Sequence, residues 1–155
     1  MAKTKPSPRD RRPAPESAWI SVVVTLVAAD DQVLEAAPER ALVASPWHTF
    51  ADLALAIDDA FGRWELGSRR RFGLADGTEI GEVAGRRRTG ELDYRRTRLQ
   101  RLDGSEPFTY TVDDGTRWRH RCVLAGAIDA DDVVPDRPGH PVVYQSVGRV
   151  PSLAD

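Results

Sequence analysis

The sequence predicts an α+β domain, a mixed β-sheet with one main amphipathic helix packed across it. Three observations predict this. Trp19 to Ala28 reads WISVVVTLVA, apolar on both faces of an extended chain. Phe50, Leu53, Ala54, Ile57, Ala60 and Phe61 recur at helical spacing and form one stripe. On both sides of Asp113-Asp114-Gly115, apolar and polar residues alternate with period two.

In chain order, residues 1–18 are basic and proline-rich with little to bury, which predicts a disordered tail. Residues 19–150 then form a single domain, and 151–155 a C-terminal tail. The 19–28 run predicts an interior strand. Asp30-Asp31 predicts a turn, and a weaker strand is expected at 40–44 after Pro38. Thr49 is a good N-cap, with Asp52 three residues on to complete a capping box and Gly62 to end the helix. Asp52, Asp58 and Asp59 fall off the apolar stripe. Residues 69–74 read as a strand, with a return at Thr78-Glu79-Ile80 after Asp76-Gly77. Residues 81–92 read as an exposed loop carrying Arg86, Arg87 and Arg88. A short helix is expected within 92–102, with Leu99 and Leu102 inward. Residues 128–138 are acidic and turn-rich, and 141–150 read as a last extended segment. The order β-β-α-β-β-β is β-grasp-like.

The hairpin at 107–124 decides most of the topology. A two-residue turn would place arginines on the apolar face of the first arm. A three-residue loop at Asp113-Asp114-Gly115 pairs Tyr110 with Trp118 and Phe108 with His120, and gives one apolar face. Arg117, Arg119 and Arg121 then form a ladder on the other face, spaced about 6.6–7 Å apart. The expected core joins Val22, Val24, Leu53, Ile57, Phe61, Phe72, Phe108, Tyr110 and Trp118.

Composition narrows function by exclusion. The chain has 155 residues with a formal net charge of −2, so it carries no global nucleic-acid footprint. Arginine nonetheless dominates 63–121, while 19–62 is acidic; Lys occurs only at Lys3 and Lys5. One cysteine, Cys122, rules out an intrachain disulfide. No apolar run reaches the roughly 18 residues of a membrane span. No signal peptide is apparent, so a cytoplasmic setting is expected, without membrane association. Glycine-rich phosphate motifs are absent. His48, His120 and His140 are not spaced as a zinc set, so no metal and no cofactor are expected.

Tyr110-Thr-Val-Asp113-Asp-Gly115-Thr-Arg-Trp118-Arg-His120 resembles the Y-x-Y-D-F-G-D-S-W-x-H signature of the plasmid pRiA4b ORF-3-like family. Tyr110, Asp113, Gly115, Trp118 and His120 match; Val112, Asp114 and Thr116 depart from it. The helix with its Phe61-Gly62 and Trp64 is similar to the family's first helix. Some members are described as passenger proteins of transposable elements. The resemblance implies a mobile-element-associated accessory module, more a binding protein than an enzyme.

Arg117, Arg119 and Arg121, with Arg86, Arg87 and Arg88, are the candidate nucleic-acid or anion contacts. They suit bidentate phosphate recognition or pairing with an acidic protein surface such as Asp58/Asp59 or Asp129/Asp131/Asp132. The alternatives are a small hydrolase using His120 as base, oriented by Asp113, with a serine or Cys122 as nucleophile, and a structural oligomer whose sheet edges pair with another copy. Nothing resembles a nucleophile elbow or a Cys-His protease signature.

Overall fold

The longest continuous pairing joins two strands far apart in sequence, β1 (Ala18–Ala29) and β8 (Arg117–Asp129). The computed structural model describes residues 18–62, 69–82, 91–102, 106–136 and 138–150. Residues 1–17 of the predicted N-terminal tail, the C-terminal tail and the Arg86-Arg87-Arg88 cluster lie outside the described residues, while Ala18, expected in the tail, begins β1.

Between β1 and β8 the chain makes β2 (Gln32–Val33), β3 (Glu39–Ala44), α1 (Phe50–Ala60), β4 (Arg69–Gly73), β5 (Glu79–Gly81), β6 (Glu91–Asp93), a 3-10 turn at Leu99–Arg101, and β7 (Phe108–Asp113). After β8 come α2 (Ala130–Val133) and β9 (Val142–Val147). All the strands join one sheet in the order β6-β5-β4-β7-β8-β1-β3-β9, with β2 added to β1. The β5–β6 pair is parallel and the others are antiparallel. The protein is therefore a mostly-sheet α+β molecule with a mixed sheet and, among the described residues, two helices.

Alternation explains which side chains are buried. Val22, Val24 and Leu26 of β1, Phe72 of β4, Phe108, Tyr110 and Val112 of β7, and Trp118 and Cys122 of β8 share the inner face. Phe50, Leu53, Ala54, Ile57 and Phe61 pack onto them from α1 and its C-cap. Every expected core residue is buried there. The Thr49 hydroxyl accepts the Asp52 N–H at 3.1 Å, and the Asp52 carboxylate accepts the Thr49 N–H at 2.9 Å, so the capping box is reciprocal. A second, smaller cluster lies on the outer face at one end. There Trp19 and Val43 meet Ala130 and Val134 of the α2 segment, which covers β1 on its other side.

Four expectations need correction. First, the hairpin register is displaced by two residues. Tyr110 pairs with His120, Val112 with Trp118 and Phe108 with Cys122. The three-residue loop is Asp114-Gly115-Thr116, because Asp113 stays in β7 opposite Arg117. Asp113 Oδ1 accepts the Gly115 N–H at 3.0 Å; Asp114 Oδ1 accepts the Thr116 N–H and the Trp118 indole N–H, each at 3.2 Å. These side-chain turns, with Gly115 at φ 109°, fix the loop one residue later than expected. A shift of two preserves the face of every side chain, so the apolar and arginine faces are unchanged.

Second, Asp58 is buried rather than off the stripe, because Arg70 and Tyr110 meet it. Third, residues 91–93 form a strand and the helical part of 92–102 shrinks to the 3-10 turn; Leu99 is buried, Leu102 is half-buried, and the arginines around them are exposed. Fourth, the second hairpin arm continues past Leu124 to Asp129, along Ala18–Ser21 of β1, with a bulge beside Gly126.

Candidate functional site

The outer surface of β4, β7 and β8 is built by the same alternation that makes the core. On β8, Arg117, Arg119 and Arg121 are exposed while Trp118, His120 and Cys122 are buried. On β4, Arg69 and Arg71 are exposed while Phe72 is buried. Register aligns the two sets. Arg69, Asp113 and Arg117 form one row across the sheet; Arg71, Thr111 and Arg119 form the next; Gly73, Thr109 and Arg121 form a third. Two arginine columns thus flank a central strand of small hydroxyl residues.

The electrostatics of this face are only partly compensated. Asp113 approaches Arg117 at 4.0 Å, and Glu79 approaches Arg71 at 4.0 Å, both with well-exposed side chains. Asp30, in a left-handed turn with φ 53°, accepts the Arg117 backbone N–H at 2.8 Å, and its carbonyl accepts from the Arg119 guanidinium at 3.0 Å. Arg69 and Arg121 have no ion-pair partner among the described residues. Exposed contacts of this length contribute little stability and leave the guanidiniums available to a ligand. Neither Asp58/Asp59 nor Asp129/Asp131/Asp132 pairs with the ladder in the described part of the chain. Arg69 and Arg71 were missed in the sequence. Within Arg69-Arg70-Arg71 residue type gives no contrast, and only the inward Phe72 next in the strand sets the parity.

Two of the residues a catalytic reading would use, His120 and Cys122, are buried on the inner face. His120 is 1% exposed. Its Nδ1 lies 2.9 Å from the Tyr110 carbonyl, and its ring packs between Phe61 and Tyr110 at 5.2 and 5.1 Å. Asp113 is at the far end of β7, turned to the outer face. Cys122 is fully buried, and burial pushes its thiol up, away from the reactive thiolate. Trp118 and Tyr110, the aromatic residues of the motif, belong to the core.

The most concentrated polar cluster was not anticipated. The Arg70 Nε–H donates to Asp58 Oδ2 at 2.7 Å, and its NH1 donates to Glu82 Oε1 at 3.0 Å. The Tyr110 hydroxyl donates to Asp58 Oδ1 at 2.8 Å, and the Tyr94 hydroxyl donates to Glu82 at 3.0 Å. Burial alone would lower the Arg70 pKa; the Asp58 carboxylate, with Tyr110 and Glu82 behind it, outweighs this and raises it. Burial and the Glu82 charge raise the Tyr94 pKa. The cluster ties α1 to β4 and β7.

Of the other histidines, His48 lies at the mouth of α1, its Nδ1 accepting the Ser45 N–H at 3.0 Å and its Nε2 facing the Pro138 carbonyl at 3.1 Å. His140 sits in the turn before β9. Among the described residues no group of three His, Cys, Asp or Glu side chains is placed to hold a metal ion. Nor is any helix there long and apolar enough to cross a membrane.

No protein-family model matches the chain, and no curated protein does. The fold is similar to that of a solved protein of unknown function, MM3350 from Methanosarcina mazei Go1. The TM-score is 0.66 and the identity 16%, over 83% of this chain and 68% of that one.

Proposed function

We propose that this protein is a non-enzymatic binding or accessory module of the pRiA4b ORF-3-like, mobile-element-associated kind, working in the cytoplasm. It holds a polyanionic partner, nucleic acid or acidic protein, on its arginine face. The reading takes α1 as the main amphipathic helix across the sheet. It keeps the β-grasp-like element order as an analogy that carries no activity.

One observation carries the reading: Arg117, Arg119 and Arg121 are all exposed, side by side on one face of an interior strand. An interior strand is held on both edges, so its outward guanidiniums are positioned by the sheet rather than by a loop. The burial of His120 and Cys122 supports binding over hydrolysis, since a base and a nucleophile need access to substrate.

Elution from an immobilised polyanion, heparin or polyglutamate, tests it. Replacing Arg117, Arg119 and Arg121 by Gln moves elution to clearly lower salt. Elution of the triple variant at the wild-type ionic strength would remove the reading.

A second reading has one observation in its favour. β9, VVYQSV, is an uncharged edge strand with Tyr144 and Val147 exposed, the kind of edge that pairs with another copy. The shift between Ala41/Gln145 and Leu42/Val143 leaves Tyr144 as a bulge, which blunts such pairing. Light scattering that gives a monomer at high concentration argues against this second reading.

A further inference from the structure

From the two arginine columns we infer that the partner is the sugar-phosphate backbone of a nucleic-acid duplex, contacted without reading its bases. This rests on the binding reading above and names its ligand class.

Three features select a duplex. The first is charge in two lines. Arg117, Arg119 and Arg121 run down β8, and Arg69 and Arg71 run down β4, two strand spacings away, which is about 10 Å. Along each column the guanidinium bases are about 6.8 Å apart. Arginine side chains pivot, so the two lines reach the backbones on both sides of a groove about 6 Å wide. A single acidic helix or strand would meet one line at a time.

The second feature is the floor between the lines. Thr109 and Thr111 are short hydroxyl residues, and Gly73 adds no side chain to its row. A Cβ at Gly73 would stand 2.9 Å from the Thr109 hydroxyl oxygen. Only glycine keeps that row low, the Thr109 hydroxyl donates to the Gly73 carbonyl at 3.4 Å, and the Thr111 hydroxyl suits a phosphate oxygen.

The third feature is the chemistry of the face. The residues on its three rows are arginine, threonine, glycine and one aspartate, with Glu79 of β5 bordering the row at Gly73, while the aromatic residues Phe72, Phe108, Tyr110 and Trp118 are all turned into the core. Proteins that hold single strands rely on base stacking against aromatic side chains. A phosphate-only face leaves single-stranded bases unstacked, whereas a duplex arrives with its bases already stacked.

The experiment is fluorescence anisotropy with a labelled 20-base-pair DNA duplex, the same length of RNA duplex, and each single strand, titrated with the full chain from 50 to 300 mM salt. Duplex binding is expected with a slope of log K against log salt of roughly −3 to −4.5, as five arginines release counterions. Arg69→Gln with Arg71→Gln, and Arg119→Gln with Arg121→Gln, should each lower affinity about 8-fold per lost contact at 0.1 M salt and reduce the slope by about 1 per contact. Arg→Lys at the same positions should keep most of the slope. Circular dichroism confirms that each variant is folded.

Tighter binding to single strands than to duplex overturns the inference. So does an unchanged slope when Arg69 and Arg71 are replaced. If neither duplex binds at 50 mM salt but polyglutamate retention still depends on Arg117, Arg119 and Arg121, the duplex is wrong and the binding reading stands. If no polyanion depends on them, both fall.

Discussion

Three consecutive arginines, Arg69, Arg70 and Arg71, meet two different solvents. Arg69 and Arg71 point outward, and among the described residues Arg71 has one ion contact, at 4.0 Å, with Glu79. Arg70 points inward, with an 11%-exposed side chain held at 2.7 Å by Asp58 and at 3.0 Å by Glu82. The strand's pleat is the whole difference. One residue type therefore serves as a structural tie on one face and as an available cation on the other. The inner arginine is tested by stability and the outer ones by ligand, and mixing the two readouts would mislead.

The largest effect is expected on the inner face. Asp58→Ala leaves the Arg70 guanidinium without its closest carboxylate and the Tyr110 hydroxyl without its acceptor. Removing one partner of a buried pair costs about 3–5 kcal/mol, because the remaining charge is still desolvated. Glu82 stays near Arg70, so the lower end of that range is expected from urea denaturation. A loss below about 1 kcal/mol would show that the cluster is far wetter than its geometry implies. The double replacement Asp58→Leu with Arg70→Met should recover much of the loss, since well-packed apolar residues can stand in for a buried pair.

A smaller effect sharpens the same point. Tyr110→Phe keeps the ring packed on Phe72 at 4.7 Å and removes only the hydrogen bond to Asp58. About 1.5–3 kcal/mol is expected, as for a hydrogen bond to a charged acceptor. The double mutant with Asp58→Ala should cost little more than Asp58→Ala alone, because the two groups share one interaction.

These two faces also show what a single sequence lets one read. Period-two alternation survives any shift of two, so the faces of the β7–β8 hairpin were legible while its register was not. The register depends on Asp113 and Asp114 each capturing a backbone N–H, and Asp-Asp-Gly does not say which aspartate starts the loop. Asp58 was read as lying off the stripe because helical spacing reports only that a polar residue lies beside an apolar stripe. Its partners, Arg70 and Tyr110, lie 12 and 52 residues away, and no local pattern links them. Arg69 and Arg71 were hidden by identity, since Arg-Arg-Arg offers no contrast to mark which members face out. The continuation of β8 through Ala125-Gly126-Ala127 was hidden because small residues carry no apolar alternation to mark a strand until Ala18–Ser21 is seen beside them. The core, by contrast, followed directly from apolar spacing.

His48, packed edge-on against Trp19 at 5.0 Å, provides a pH test separate from the arginine columns and the Asp58 cluster. Burial lowers its pKa, with the Pro138 carbonyl and the Asp52 charge raising it in part and His140 lowering it further. The folded chain thus holds a neutral imidazole whose Nδ1 accepts the Ser45 N–H. In the unfolded chain the ring titrates near 6.5. Protons therefore bind the unfolded state first. The stabilisation is whole above pH 6.5 and is lost as pH falls from there toward the folded-state pKa. Urea midpoints measured at pH 7.5 and 5.5 should differ more for the wild-type chain than for His48→Asn, which cannot titrate. Equal differences would mean that this ring does not govern the acid limb.

The smallest stability effect belongs to the residues with the largest expected binding effect. Arg119→Gln with Arg121→Gln removes two exposed charges whose described contact within the chain is one bond from Arg119 to the Asp30 carbonyl. Surface replacements of this kind stay within about 0.5 kcal/mol, or about 1–2 °C in melting temperature for a chain of this size. The sign carries information as well. Adjacent guanidiniums on one strand repel, so neutralising two of them should stabilise the protein slightly at low salt and do nothing in high salt, where repulsion is screened. A melt that drops by several degrees instead would mean that the outer arginines hold the sheet together, as Arg70 does, and are not available to a ligand.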